Sequence, residues 1–271
     1  MNLLPATTLS GDNRIHVADL FALCDTLPSG SVDMVLCDLP YGTTACRWDQ
    51  VIPFEPMWAR FKRVIKPRGA IVLTASQPFT SALVMSNPEW FKYTWVWDKV
   101  RPVGFQIAKY RPMMQHEDVC VFTKNTVNYY PQMTPREKPI KYRASSKSDS
   151  SPLKYHDGEY RVSTEIHPAS ILRYYQNTSE TLHPTQKPVA LFEYLIRTYT
   201  QEGETVLDPT CGVGTTAVAA RNTKRNYICG DLSPDYVLIA RDRLRMPFEP
   251  RHTKADNDVS GLPLFAQAGV A

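Results

Sequence analysis

A chain of 271 residues, 43% hydrophobic and 21% charged, is long enough for one α/β domain with a sizeable core and an insertion. No apolar run approaches the length of a membrane span, the N-terminus lacks the basic-then-apolar pattern of a signal peptide, and a net charge of +4 argues only weakly for a polyanionic partner. The six cysteines, Cys24, Cys37, Cys46, Cys120, Cys211 and Cys229, form no C-x-x-C pair; this disfavours a zinc site and fits buried free thiols in a reducing cytoplasm.

Along the chain, short β-branched runs alternate with amphipathic stretches, the pattern of an α/β fold with a parallel sheet covered by helices. Strands are predicted over 14–18, 32–37, 70–75, 94–98, 118–123, 205–207 and 226–229. The stretch 54–65 places Phe54, Met57, Trp58, Phe61, Val64 and Ile65 at helical spacing and stops at Pro67 and Gly69. Helices are also predicted over 189–199 and 234–244. Trp95 and Trp97 alternate on their strand, which predicts one in the core and the other on the opposite face. His116 and His183 read as structural or hydrogen-bonding residues.

From about 100 to 180 the chain turns rich in Tyr, Pro, Ser, Lys and Arg, with little periodicity beyond the strand near Cys120. Basic residues outnumber acidic ones roughly two to one between Lys99 and Arg161. An irregular insertion of that length is functional or disordered. Arg101, Lys109, Arg111, Lys141 and Arg143 are candidate phosphate or base contacts, against the plainer reading of each as solvated charge. The tail 247–271 has the composition of a flexible segment.

Two motifs carry the chemistry. Asp38-Leu39-Pro40-Tyr41-Gly42 follows an apolar strand directly, and in an open α/β sheet the carboxyl ends of strands line the ligand crevice. Pro40 restricts Leu39 to an extended conformation. The Asp38 carboxylate and the Leu39 carbonyl then point in a common direction. Two adjacent acceptors suit an exocyclic amino group, and Tyr41 adds a ring that can stack on a base. By itself this is equally an ordinary strand-ending turn. The second motif runs Asp208-Pro209-Thr210-Cys211-Gly212-Val213-Gly214-Thr215-Thr216, between a strand and a helix-like run. Its glycines let a ligand approach the backbone, and the helix start presents N–H groups to an anion. Asp231, after the next strand, stands where an acid receives ribose hydroxyls. No G-x-x-x-x-G-K-[ST] occurs, which disfavours a P-loop triphosphatase.

These pieces resemble the permuted, β-type DNA amino-methyltransferases of phages and restriction–modification systems. Ala18-Asp19, Ser31-Val32-Asp33, His116-Glu117-Asp118 and His183-Pro184-Thr185-Gln186-Lys187-Pro188 complete the likeness, with the catalytic turn preceding the cofactor turn by more than a hundred residues. The resemblance implies a Rossmann-like methyltransferase fold, a seven-stranded, mostly parallel sheet with helices on both faces. It implies a catalytic turn of Asp38, Leu39, Pro40 and Tyr41, with no metal. It further implies S-adenosylmethionine contacts from Asp19 and Leu20 at the adenine end and Asp231 at the ribose. Lys187 or the turn amides would hold the methionine end, with Thr185, Asp208, Thr210, Gly212, Gly214 and Thr215 completing the set. Two departures stand out: Leu39 replaces the usual second-position proline, and Thr210 replaces the aromatic residue that often opens the cofactor turn.

In this family Asp at the head of the first motif accompanies adenine and Ser accompanies N4-cytosine, so the reaction implied is methylation of adenine N6 in double-stranded DNA after base flipping. The alternatives are an N4-cytosine enzyme, an enzyme acting on RNA or protein, and an inactive DNA-binding subunit. Residues 1–99 and 181–246 would form the catalytic and cofactor-binding domain, and 100–180 an inserted target-recognition region. Dimerisation is common in the family, and a cytoplasmic location in a bacterial or phage-infected cell follows from it. Gly261-Leu262-Pro263-Leu264-Phe265 is similar to the short peptide that docks bacterial proteins on the replication sliding clamp, with Gly261 in place of the usual Gln. A tail packing on its own domain, or on nothing, is the plainer reading.

Overall fold

Alternation along one strand sets the centre of the fold. In β2 (Val32–Asp38), Met34 and Leu36 face one buried cluster while Val35 and Cys37 face another, so the strand is covered on both sides. The computed structural model describes residues 13–44, 49–143, 160–175 and 186–245. They divide into a small unit, Pro131–Ala169, and a large unit made of the rest.

The large unit is built on an eight-stranded sheet. Its other strands are β1 (Arg14–Val17), β3 (Ile65–Ala75), β4 (Phe91–Val103), β5 (Met114–Phe122), β8 (Ile171–Arg173), β9 (Thr205–Asp208) and β10 (Asn226–Asp231). They lie in the order β1-β10-β9-β2-β3-β5-β4-β8. Only the β3–β5 and β5–β4 pairs are antiparallel. All seven expected strands are present. The eighth, β8, is a three-residue edge strand parallel to β4, too short to leave a periodic signal.

Helices cover both faces. α1 (Leu20–Asp25), α2 (Phe54–Val64) and α3 (Phe79–Met85) bury Leu23, Phe61 and Leu83 in one cluster. α4 (Val189–Tyr199), α5 (Thr215–Asn222) and α6 (Pro234–Arg245) bury Leu195, Ala217 and Val237 in the other. From β2 the chain crosses to β3 on one side, and from β9 to β10 on the other. The crevice between the carboxyl ends of β2 and β9 is therefore the switch point where ligands bind in such sheets.

Two expectations need correction. Trp95 and Trp97 lie in the same cluster, 4% and 0% exposed, because side chains two apart on a strand share a face. The sequence from 100 to 130 and from 170 to 175 belongs to the sheet unit, since β4 and β5 are long strands that pair from Phe91↔Phe122 to Val103↔Met114. The small unit carries a two-stranded antiparallel ribbon, β6 (Thr134–Arg143) with β7 (Tyr160–Ile166), in which the Lys141 ammonium sits 4.9 Å from the Tyr160 ring centroid. Cys24, Cys37, Cys120, Cys211 and Cys229 are buried free thiols. Cys46, His183, Thr185 and the Leu262–Phe265 peptide lie outside the described residues. No described helix is long and apolar enough to cross a membrane.

Candidate active site

β2 delivers Asp38 to the crevice, and β9, its neighbour, delivers Asp208. The turns after the two strands are tied together, because the Thr210 hydroxyl donates to the main-chain carbonyl of Asp38 at 3.2 Å. They open on one cleft of about 1270 Å³, lined among others by Asp19, Leu20, Asp38 to Tyr41, Glu117, Lys187, Asp208 to Val213, Thr215 and Asp231.

Three side chains hold the Asp38 carboxylate. Oδ1 accepts from the Tyr41 hydroxyl at 2.7 Å and from the Thr74 hydroxyl, and Oδ2 faces the Lys187 ammonium at 2.9 Å. Lys187 also reaches Glu117 Oε2 at 3.1 Å, and Glu117 Oε1 meets Lys99 at 2.5 Å. Burial alone would lower the Lys187 pKa, but Asp38 and Glu117 together raise it above the ordinary lysine value. Burial alone would raise that of Glu117, but Lys187 and Lys99 hold it below the usual carboxylate range. Tyr41 is pushed well up by burial and the two neighbouring carboxylates, so its hydroxyl remains a donor.

Two further features shape the turn after β2. The Tyr41 ring stacks on Phe79, with centroids 5.2 Å apart and planes at 26°, so one of its faces is already covered. Beyond the turn, buried Asp49 accepts from the amides of Gly42, Thr43 and Thr44 at 2.8, 2.9 and 2.7 Å. Desolvation would raise the Asp49 pKa, and those hydrogen bonds outweigh it and bring it down. Asp49 thus clamps the backbone that follows Tyr41.

In the second turn Asp208 is only 2% exposed and accepts from the Thr210 amide at 3.1 Å and from the Thr216 hydroxyl. Burial pushes its pKa up to about 7. Asp231 accepts from the Gly212 amide at 2.9 Å and the Ser233 amide at 2.8 Å. Gly214 has φ +81°, and a Cβ there would stand 2.7 Å from the Ala240 Cβ; it lets α5 pack on α6 and is not among the residues lining the cleft. Gly212, at φ +50°, has open space for 4 Å around the point where a Cβ would stand, and it does line the cleft. Asp19 caps α1, accepting from the Ala22 amide at 2.7 Å, and still lines the cleft beside Leu20.

Most residues singled out from the sequence therefore meet in one place. For Lys187, which with the turn amides was one of two expected holders of the methionine end, the structure shows an ammonium paired with Asp38 and Glu117. Sequence reasoning missed Thr74, Lys99, Asp49 and Phe79, and it quoted Glu117 without giving it a role. Glu117 lies inside β5, directly opposite Trp97 of β4, with Lys99 just beyond, and its signal was the His116-Glu117-Asp118 piece of the family likeness. Of the basic residues named above, Arg111 lines the cleft and Arg101 stacks on Tyr175 at 5.0 Å.

Comparison with known proteins agrees with this geometry. The DNA methylase family model, covering N6 and N4 enzymes, matches residues 32–242. The Type II methyltransferase M.HpaI of Haemophilus parainfluenzae is 26% identical over 268 residues, covering 92% of this chain and 81% of that protein. The DNA adenine methyltransferase YhdJ of Escherichia coli K12 is 26% identical, covering 85% and 81%. Among solved structures, the M1.HpyAVI–SAM complex superposes with a TM-score of 0.56 at 23% identity over 85% of this chain and 98% of that one, which shows a common fold.

Proposed function

The chain belongs to the DNA methylase family of N6 and N4 enzymes, and from that premise we propose that it transfers a methyl group from S-adenosylmethionine to the N6 amino group of adenine in double-stranded DNA. The observation that carries the reading is the joining of the two turns: the Asp38 carboxylate and the turn that begins at Asp208 face one cleft and are hydrogen-bonded through Thr210. Adenine is favoured by Asp38 at the head of the catalytic turn, and a relative named for adenine methylation supports it.

The residues present fit the cofactor. Asp231 spends one lone pair on each oxygen on backbone amides and keeps acceptor capacity for ribose hydroxyls. Leu20 and Phe21 offer an apolar wall for a purine beside Asp19, and the open position at Gly212 admits a close approach to the backbone. The amides of Thr210, Cys211, Gly212 and Gly214 are all used internally, so the methionine carboxylate falls to the Val213 amide and the first turn of α5, which begins at Thr215. When bound, S-adenosylmethionine supplies an electrophilic methyl group.

The chain's own part is positioning and electrostatics. An adenine amino nitrogen is a poor nucleophile because its lone pair is delocalised into the ring. Asp38 and the Leu39 carbonyl accept its two N–H groups, which favours a pyramidal nitrogen and supports the positive charge that develops there. Tyr41 and Thr74 fix Oδ1, leaving Oδ2 as the side that can take a further donor. A base in duplex DNA must be flipped out to reach this site, at a cost of a few kcal/mol. The DNA-facing surface is assigned to the connection between β4 and β5, where Phe105 and Tyr110 are 78% and 87% exposed beside Lys109 and Arg111. A clamp contact through Leu262–Phe265, a homodimer and a cytoplasmic location are part of the same reading and rest on the sequence alone.

The test is transfer of labelled methyl to unmethylated genomic DNA followed by nucleoside mass spectrometry. N6-methyladenine is expected, and Asp38→Ala should abolish it while leaving the fold intact. Label in N4-methylcytosine would overturn the base assignment, and wild-type turnover by the variant would overturn the role of Asp38.

A further inference from the structure

We propose that Glu117 and Lys187 are positioning residues for the transfer step: Lys187 fixes which lone pair of Asp38 meets the amino group, and Glu117 cancels the charge that Lys187 brings. The inference rests on the reading of Asp38 given above and assigns work to two residues that reading does not use.

Four charged side chains alternate in sign beneath the cleft. Asp38 Oδ2 meets Lys187 at 2.9 Å, Lys187 meets Glu117 at 3.1 Å, and Glu117 meets Lys99 at 2.5 Å. Their side chains are 24%, 5%, 12% and 9% exposed, and their formal charges sum to zero. Burying ions is costly unless each is paired and hydrogen-bonded, so loss of any one member leaves an uncompensated charge.

Lone-pair counting then gives Lys187 its task. A carboxylate oxygen has two acceptor positions. Tyr41 and Thr74 fill both on Oδ1, and Lys187 fills one on Oδ2. One position remains for the substrate, and the lysine determines its direction.

The same lysine creates a difficulty that Glu117 removes. As the amino lone pair forms the new N–C bond, the methyl C–S bond breaks and sulfur keeps that electron pair. One positive charge thereby moves from sulfur to nitrogen, and it is discharged when an N–H proton passes to water. Two cations bound to one carboxylate would then stand about 5 Å apart. Because the charge comes from a sulfonium only about 3–4 Å further from the lysine, just the difference between the two repulsions counts, and at an effective dielectric of ~20 it slows transfer about tenfold. Glu117, which contacts Lys187 directly and is itself held by Lys99, offsets it. Its Oε2 also lies 3.4 Å from the Tyr41 hydroxyl, so the same carboxylate borders both groups that hold Asp38.

The test uses the full chain, labelled S-adenosylmethionine and unmethylated genomic DNA under single-turnover conditions, with folding checked by circular dichroism. E117Q should lower the transfer rate about tenfold, with the cofactor concentration that gives half-maximal rate within about twofold. E117D, which keeps the charge, should recover most of that loss. The double variant E117Q/K187M should be about threefold faster than E117Q, because the uncompensated cation is gone. A purely structural role predicts the opposite, a double variant slower than either single one. E117Q within threefold of wild type, E117D no faster than E117Q, or a double variant no faster than E117Q would each overturn the proposal. Absence of transfer by the wild type would instead refute the methyl-transfer reading itself.

Discussion

Placing alanine at each glycine of the cofactor turn should give opposite results, and the geometry says which. At Gly214 the backbone sits at φ +81° and ψ 31°, a left-handed conformation that costs an L side chain roughly 1–2 kcal/mol. The new Cβ would stand 2.7 Å from the Ala240 Cβ, about 1 Å inside normal carbon contact. Ala240 is fully buried on α6, so α6 or the turn must shift, and overpacking of that kind costs roughly 1–3 kcal/mol. The sum is about 2–5 kcal/mol, a large part of a domain's stability. Gly212 has φ +50° and open space around its added Cβ, so Gly212→Ala should cost only the left-handed strain, roughly 1–2 kcal/mol. Its methyl would protrude from a residue lining the cleft, and the cofactor dissociation constant should rise about tenfold. Urea unfolding at constant slope reads the first quantity and titration calorimetry with S-adenosylmethionine the second. Gly214→Ala within about 0.5 kcal/mol of wild type, or Gly212→Ala the more destabilising of the two, would refute the reasoning.

The remaining expectations concern charge. Burial raises Asp208 to about pKa 7, above its unfolded value, so the native state holds a proton that the unfolded chain has already lost. Its contribution to stability is complete below about pH 4 and declines as pH rises toward 7. Asp208→Asn, which cannot ionise, should therefore gain on the wild type across that window; a difference independent of pH in parallel urea melts would contradict this. For DNA, replacing Arg101, Lys109 and Arg111 together by Gln should make the slope of log K against log salt shallower by up to about 2.7, since each phosphate contact contributes about 0.9. An unchanged slope on a random duplex would move the phosphate contacts elsewhere.

Much of the frame was legible because it depends on local pattern. Seven strands and three helices follow from runs of apolar residues with clear periods, and α2 and α4 begin and end within a residue of their expected bounds. The two turns were legible for a different reason. Strand, turn and helix are contiguous in the chain, so motif order by itself assigns Asp38 and Asp208 to strand ends. The three-residue β8 was invisible because its register with β4 is set by a partner more than seventy residues away. The placement of both tryptophans in one core follows from strand geometry alone and was legible once two-residue spacing is read as one face.

The sequence by itself determined the fold class, the family and the residue types of both turns, because those are properties of contiguous segments. Only the tertiary structure decided what surrounds Asp38. Thr74 comes from β3, Glu117 from β5, Lys99 from β4 and Lys187 from the approach to α4, four segments that meet only when the sheet is assembled. A charge is stabilised by whatever lies within a few ångströms, and that distance is fixed by strand order and register. Lys187 shows the difference: its motif places it in the family, while its charge is taken by the two carboxylates that the sheet brings to it.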